Sequence, residues 1–157
     1  MSVDKSRFEA KMKLAREAFD TNGPKLLEDA GSFLTAKLVQ EILNGASGSD
    51  YPKPYPAGVA EGATGFVGVI TSNLRRSIGA EKVEQFEVRV KQINATLAPY
   101  HDEMITWSAQ KYGKNFYEIA VQLYGPAVAK QIIAFASRIV KDADNLKKLT
   151  YKNPFPG

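Results

Sequence analysis

The residues best suited to chemistry in this 157-residue sequence are a histidine and the two acids that follow it, His101-Asp102-Glu103. A histidine oriented by a carboxylate is the base of a nucleophilic triad. Adjacent side chains on a helix do not face each other, however, and no serine lies in a nucleophile-elbow sequence. We therefore predict a partly exposed histidine at the start of a helix, with both carboxylates at the positive end of the helix dipole.

Other reaction chemistry is restricted by the composition. The sequence has no cysteine and one histidine, which excludes disulfides, iron–sulfur clusters and thiolate zinc sites and leaves too few imidazoles for a histidine metal site. Gly62, Gly65 and Gly68 have neither the dinucleotide spacing nor the Gly-Lys-Ser/Thr ending of a phosphate-binding loop. We predict no cofactor, no metal and no enzymatic activity.

Two adjacent arginines, Arg75 and Arg76, lie between the apolar residues Leu74 and Ile78. Guanidinium groups bind phosphate or carboxylate through two parallel hydrogen bonds. The pair could therefore contact nucleic acid or another protein, or it could simply be solvated. Stacking aromatic residues and further clustered basic residues are missing around it, which favours a protein contact over a nucleic-acid patch.

The size and charge of the chain are those of one ordinary domain, residues 1–157. The sequence is 44% hydrophobic and 24% charged, and its net charge of +4 is modest for a nucleic-acid-binding protein. No apolar run approaches the roughly 18 residues that span a bilayer, and the first residues lack the apolar segment of a signal peptide. We expect a protein that folds in the cytoplasm and does not contact membranes.

Helices are predicted over residues 4–43. Apolar residues recur on one helix face at steps of three and four, at Phe8, Met12, Ala15 and Phe19. Asn22-Gly23-Pro24 predicts a break, because proline clashes with the preceding turn and glycine favours a helix end. Residues 44–65 are rich in proline and glycine and predict an extended loop, which contains Tyr51, Pro54, Tyr55 and Pro56.

Short strands are predicted between residues 66 and 99. Phe66–Ile70 is typical of a short strand, and apolar residues alternate with charged ones from Val83 to Lys91. A turn at residues 92–94 would lead into a second strand through Leu97, which gives an antiparallel hairpin.

The C-terminal part is predicted to be helical over residues 102–148, with helix ends at Gly113 and at Gly125-Pro126, and then a nonhelical tail over residues 149–157. Helices, short strands and helices in this order predict an α+β fold in which a small antiparallel sheet carries the C-terminal helices.

One eight-residue stretch, Thr71-Ser-Asn-Leu-Arg-Arg-Ser-Ile78, resembles the central motif of a known family. These are the tail-completion, or neck, proteins of tailed bacteriophages, which join a DNA-filled head to its tail. Family members have a long N-terminal helix and a proline-containing loop before Thr-Gly-x-Leu-Arg-x-Ser. Antiparallel strands, a turn with tyrosine and a C-terminal helix packed on the sheet follow. Thr71, Leu74, Arg75 and Ser77 match the motif, Ser72 occupies the glycine position, and Ala98-Pro-Tyr100 loosely matches the turn.

The resemblance implies a structural virion protein that forms a homo-oligomeric ring, six- or twelve-fold, at the head–tail junction. Its partners would be other neck, portal-adaptor and tail proteins, and DNA would pass through the ring without specific binding. The protein would reside in the virion, and in the host cytoplasm during assembly. Tail completion, tail termination and a minor capsid role remain open. The implied contact residues are Tyr51, Pro54, Tyr55, Pro56, Thr71, Leu74, Arg75, Arg76 and Ser77.

The alternative is a small nucleic-acid-binding module. It would use Arg75 and Arg76 together with the C-terminal lysines, Lys130, Lys141, Lys147 and Lys148.

Overall fold

The computed structural model describes residues 2–43, 72–141 and 150–156. Helix α1, Ser2–Lys37, continues as a π-helical turn, Leu38–Ile42. A short helix α2, Ser72–Ser77, leads into a hairpin of β1, Ile78–Glu84, and β2, Glu87–Gln92. Helices α3, His101–Tyr112, and α4, Phe116–Lys141, follow. The predicted α+β class is confirmed, with a larger helical share than the sequence suggested.

Helix α1 runs without interruption through Asn22-Gly23-Pro24, so the predicted break is wrong. A proline at position 24 removes the N–H that would bond to the carbonyl of Asp20. The Nε2 of Gln85, in the hairpin turn, donates to that carbonyl at 3.4 Å instead. Asn22 donates its side-chain amide to the carbonyl of Ala18 at 3.1 Å. The contact of Gln85 thus partly replaces the bond that proline removes, and the Asn22 bond adds a further contact in the preceding turn.

The sheet is one antiparallel pair, β1 with β2, in which Ile78 faces Gln92 and Ala80 faces Val90. A hairpin is predicted correctly, but its position is wrong, because the first strand starts at residue 78 rather than 83 and the turn is at residues 85–86. The predicted strand at Leu97 does not form. The predicted strand over residues 66–70 lies outside the described residues.

The ladder ends where the carbonyl of Ser77 accepts two hydrogen bonds from beyond β2. The N–H groups of Ile93 and Asn94 donate to it at 2.6 Å and 3.2 Å. These bonds turn the chain away from the sheet at the point where the sequence predicted a hairpin turn.

The hairpin packs directly on α1 at two glycines. A Cβ on Gly23 would lie 2.9 Å from the ring of Phe86, in the turn, and a Cβ on Gly31 would lie 2.6 Å from Cγ1 of Val88 and 3.0 Å from Cβ of Ala80. Real Cβ atoms essentially never approach other atoms to less than 3.0 Å. The two glycines therefore permit a closer approach of sheet to helix than any side chain would allow.

Helix α4 continues through Gly125-Pro126, so the predicted helix end there is also wrong. The proline removes the hydrogen bond to the carbonyl of Gln122. Both Gln122 and Pro126 are exposed, so water can satisfy that carbonyl. The predicted end at Gly113 is confirmed, where a left-handed φ of 77° closes α3.

Helix α4 lies antiparallel to α1 and covers it with aromatic side chains. The rings of Phe19 and Phe135 meet edge to face at 5.7 Å, and those of Phe33 and Tyr124 at 6.4 Å. Ile139 is fully buried in this contact. Helix α1 is therefore the central element, because the hairpin and α4 both pack on it.

The C-terminal residues 150–156 are nonhelical, as predicted, and they are anchored on α1. Phe155 stacks on Phe33 with 5.1 Å between ring centroids. The hydroxyl of Tyr151 donates to the carboxylate of Asp29. Burial, followed by this hydrogen bond, raises the pKa of Tyr151 above its usual range.

A second core lies where α2, the base of the hairpin, α3 and the start of α4 meet. Its buried residues are Leu38, Leu43, Leu74, Ile78, Ala98, Tyr100, Met104, Phe116 and Ala120. Ile78, Met104 and Phe116 share this core, so the first turns of α3 and α4 lie near the base of the hairpin. The rest of α4 packs mainly on α1 and not on the sheet, unlike the predicted packing of the C-terminal helices on the sheet.

We predict that Gly31→Ala lowers the free energy of unfolding by about 1–3 kcal/mol, because the new methyl group overlaps the stiff side chain of Val88. Urea denaturation measures the effect. Gly125→Ala is the matched control, since its Cβ would lie at an ordinary 3.5 Å from Val121. Alanine also favours a helix, so this control should be neutral or stabilising. Equal effects of the two changes would contradict the account of the glycine contact.

Candidate functional site

Helix α2 presents two buried and two outward residues of the motif. Leu74 and Ser77 are fully buried. The Ser77 hydroxyl donates to the carbonyl of Leu74 at 2.7 Å and accepts from Nε2 of Gln92 at 3.3 Å. The same Gln92 nitrogen donates to the carbonyl of Ala98 at 2.8 Å. Ser77 therefore connects α2 to β2 and to the following turn.

The fixed position of Leu74 also involves Tyr100, which is buried beside it in the second core. Burial raises the pKa of Tyr100, and a hydrogen bond with the backbone of Leu74 partly offsets this rise. The motif leucine and serine are thus structural residues of the protein core.

The two arginines of the motif reach the surface. Arg76 is exposed, and its guanidinium donates to the side-chain oxygen of Asn73. Arg75 is half-buried and lies at a groove of about 370 Å³ between α1 and β1. The other lining residues are small or apolar, and they are Ser32, Thr35, Ala36, Val39, Ile78 and Ala80. This surface of Arg75, Arg76 and the groove is called the arginine surface below.

Basic residues of the neighbouring hairpin are paired with glutamates. Lys82 lies 3.5 Å from Glu28 on α1. Within the hairpin, Arg89 pairs with Glu87 at 2.6 Å and Lys91 with Glu81 at 2.8 Å. Exposed pairs of this kind contribute about 0–1 kcal/mol each to stability. Their main effect is to leave the hairpin with balanced charge beside the arginine surface.

A hydrogen-bonded chain, which sequence reasoning missed, joins α3 to α4. His101 is buried, contrary to the predicted partial exposure. Its Nδ1 lies 3.1 Å from Oδ1 of Asp102, and its Nε2 lies 2.7 Å from the hydroxyl of Tyr117. Because a carboxylate can only accept, the Nδ1–H donates to Asp102, and Nε2 accepts from the tyrosine. The sequence contained the His–Asp pair but no signal for Tyr117, 16 residues later.

The chemistry of this chain is that of a structural contact. Burial, and then the charge of Asp102, raises the pKa of Tyr117 to about 12. The phenol therefore stays protonated near neutral pH and donates to the imidazole. Its ring also meets that of His101 at a centroid distance of 5.7 Å. Each ring nitrogen of the buried histidine has a polar partner, and α3 is held to the start of α4.

Several of the predicted contact residues have no described position. Tyr51, Pro54, Tyr55, Pro56 and Thr71 lie outside the described residues. Within residues 2–43, 72–141 and 150–156, no group of three His, Asp or Glu side chains could hold a metal ion.

Helix α4 has the length and apolar composition of a membrane-spanning helix, and it is the one such helix among the described residues. Core helices of water-soluble proteins meet the same two criteria when they are mostly buried, but few residues of α4 are buried. One face of α4 packs on α1, and a largely apolar face is left exposed.

Comparisons of this chain with family models, with curated proteins and with solved structures give no match. Its function must therefore be inferred from its residues and their geometry.

We predict that Tyr117→Phe lowers the free energy of unfolding by about 1–3 kcal/mol, because the buried Nε2 of His101 loses its donor. Denaturant titration near neutral pH measures it. Tyr124→Phe is the control, since that hydroxyl bonds to Glu41 at an exposed position and its loss should matter less. An equal or larger loss in the control would contradict a special role for the His101 contact.

The stability conferred by Tyr117 should disappear at alkaline pH. Its folded pKa of about 12 exceeds the unfolded value of 10, so the unfolded chain releases the proton first as the pH rises. The difference in unfolding free energy between the natural protein and Tyr117→Phe should be constant below pH 10 and should shrink from pH 10 to 12. A difference that stays constant up to pH 12 would show that the phenol is not perturbed.

Proposed function

We propose that this protein is a structural subunit of a tailed-phage neck, which joins tail to head. Subunits would form a six- or twelve-fold ring that contacts neighbouring neck, portal-adaptor and tail proteins. The observation that carries the proposal is the Leu74–Ser77 part of the motif. Its leucine and serine are anchored in the core, and its arginines face outward beside a groove.

Two buried motif residues, Leu74 and Ser77, and two outward-facing arginines form an arrangement that suits a subunit contact. Fully buried Leu74 and the hydrogen bonds of Ser77 hold α2 rigidly, so the positions of the two arginines are defined before any partner binds. Preorganised side chains lose less conformational entropy on association. Arginine is also enriched in protein interfaces, because its planar group can bind carboxylates and carbonyls of a neighbour.

A ring needs a heterologous contact, in which one surface of each subunit meets a different surface of the next. The arginine surface supplies one basic, grooved side of such a contact. An acidic or carbonyl-rich segment of the neighbouring subunit would be its partner.

The charge distribution agrees with a channel that DNA crosses without binding tightly. Three basic residues of the hairpin are paired with glutamates, and the net charge is only +4. Phosphate binding grows with the number of unpaired basic contacts, so this balance favours passage over retention. The protein would reside in the virion, after assembly in the host cytoplasm.

We predict that Arg76→Glu and Arg75→Glu prevent ring formation while they change thermal stability much less. Reversing the charge opposes the neighbour's acceptor groups, which costs several kcal/mol at an interface. Arg76 is exposed, so its replacement should leave the fold intact even if Arg75→Glu perturbs the groove. Analytical ultracentrifugation and negative-stain electron microscopy of the purified protein measure assembly.

Arg89→Glu is the matched control, because Arg89 is an exposed arginine of the hairpin outside the arginine surface. It should assemble normally. Rings that persist in Arg76→Glu and Arg75→Glu, or a matching loss of thermal stability in both, would contradict the proposal. A gel shift with duplex DNA that weakens steeply as salt rises and is lost in Arg75→Glu would identify a nucleic-acid-binding module instead.

A further inference from the structure

A cleft of about 150 Å³ lies between α1, α4 and the C-terminal segment, residues 150–156. Its apolar walls come from all three elements, and they are Leu26, Ala134, Phe135 and Pro154. An apolar cavity of roughly this volume can hold one benzene ring. The cleft therefore has room for a single ring, and its walls favour such a group over water.

The described polar side chains that line the cleft include two cations and no carboxylate. Arg138 on α4 and Lys152 on the C-terminal segment are both exposed, and the other polar lining residues are Gln131, Thr150 and Tyr151. Guanidinium and ammonium groups bind carboxylates and phosphates through charge-assisted hydrogen bonds. A guanidinium has five N–H donors, so Arg138 can bind an anion while it keeps a contact within the protein. The charge of the cleft thus favours an anionic ligand.

Contacts outside the cleft hold its walls in place. Tyr151 donates its hydroxyl to the carboxylate of Asp29, which does not itself line the cleft. Phe135 packs edge to face on an aromatic ring of α1. On the C-terminal segment, Phe155 is buried and stacks on Phe33. Small-molecule sites are usually formed before the ligand binds, because fixed walls reduce the entropy that binding costs.

We propose that this cleft binds a small aromatic anion, with either a carboxylate or a phosphate ester as its charged group. The ring would lie against Leu26 and Phe135, inside the cleft. The anionic group would bind Arg138 and Lys152, whose exposure places them at the solvent side of the cleft. Gln131 and Thr150 would offer hydrogen bonds to a polar substituent of the ring.

A free molecule suits the cleft better than a segment of another protein does. One ring accounts for a volume of about 150 Å³. An aromatic residue within a protein chain could supply the ring, but it has no charge beside the ring for Arg138 and Lys152. A free aromatic anion supplies both groups next to each other.

Binding should also hold the C-terminal segment on the helices. Thr150, Lys152 and Pro154 of the segment line the cleft together with residues of α1 and α4, so one ligand would contact both sides. A ligand that binds only this arrangement stabilises it. The cleft lies away from α2 and the arginine surface, so the inference does not depend on the proposed function.

A titration followed by nuclear magnetic resonance of the full-length protein tests the site, with phenylacetate and phenyl phosphate as probes. Ligands of about ten non-hydrogen atoms should bind such a cleft with a dissociation constant of roughly 1 mM. We expect saturable shifts of the backbone amide signals of Ala134, Phe135 and Lys152. The anion that binds more tightly identifies the charged group of the ligand.

Benzylamine, which is cationic, and N-acetylphenylalaninamide, which is neutral and resembles a residue within a protein chain, are the control compounds. Neither should give saturable shifts. Three results would overturn the proposal: no saturation with either anion at concentrations roughly tenfold above the expected constant, shifts confined to other parts of the protein, or binding of a control compound as tight as that of the anions.

A matched pair of lysines tests the role of charge. Lys152→Glu should weaken phenylacetate binding by roughly tenfold or more, because it places a like charge beside the anion. Lys130→Glu is the control, since Lys130 is also exposed but does not line the cleft. It should bind as the natural protein does, and neither variant should lose thermal stability. Equal weakening in both variants would show an effect of net charge alone and would contradict a defined site.

A matched pair of alanines tests the apolar part of the cleft. Ala134 and Ala129 are both exposed on α4, but only Ala134 lines the cleft. Ala134→Leu should abolish measurable binding, because the larger side chain occupies the space of the ring. Ala129→Leu should leave the dissociation constant unchanged, and leucine is nearly as favourable in a helix as alanine, so both variants should fold. Unchanged binding in Ala134→Leu would place the ligand elsewhere and would overturn the proposal.

Discussion

The arrangement of this protein depends on the close approach of the hairpin to α1. Gly23 and Gly31 lack side chains at the two points where Phe86 and Val88 reach the helix. The hairpin can therefore lie flat on α1, and its base brings Ile78 into the second core. A two-stranded sheet is marginally stable by itself, so contact with a helix is what allows it to persist. The rest of α1 is covered by α4 and by the C-terminal segment, residues 150–156.

The position of α2 follows from this packing. Helix α2 leads directly into β1, so the position of the hairpin base determines where Leu74 and Ser77 lie. Because these two residues are buried, Arg75 and Arg76 between them point outward. A short helix of six residues has little stability of its own. Burial of Leu74 and the hydrogen bonds of Ser77 supply the additional stability. Conservative substitutions of Ser77 should thus change the shape of the arginine surface as much as they change the free energy of unfolding.

Sequence patterns predicted the amphipathic helices well, but they predicted the positions of helix ends and of the hairpin turn poorly. The amphipathic periods of α1 and α4 and the glycine that ends α3 were sufficient to predict helices in these regions. Gly23-Pro24 and Gly125-Pro126 predicted helix ends that do not exist. The carbonyl freed by Pro24 accepts a bond from the Gln85 side chain, the carbonyl freed by Pro126 lies at an exposed position, and Gly23 permits the close approach of Phe86. The hairpin turn was missed because Phe86 continues the alternation of Val88 and Val90 and so conceals it.

The site could be predicted only in part. The motif predicted Arg75 and Arg76 as contact residues. Periodicity does not show that Leu74 and Ser77 face inward, because their burial depends on how α2 packs against the rest of the protein. The bond between His101 and Tyr117 depends on the angle between α3 and α4, which no local pattern encodes.

Electron cryo-microscopy of tailed virions that carry this protein is the most direct test of the proposed neck role. We expect a closed ring of this protein between head and tail, with Arg75 and Arg76 at the contacts between neighbouring subunits. Particles whose head–tail junction lacks the protein, or in which it is present as isolated subunits, would contradict it.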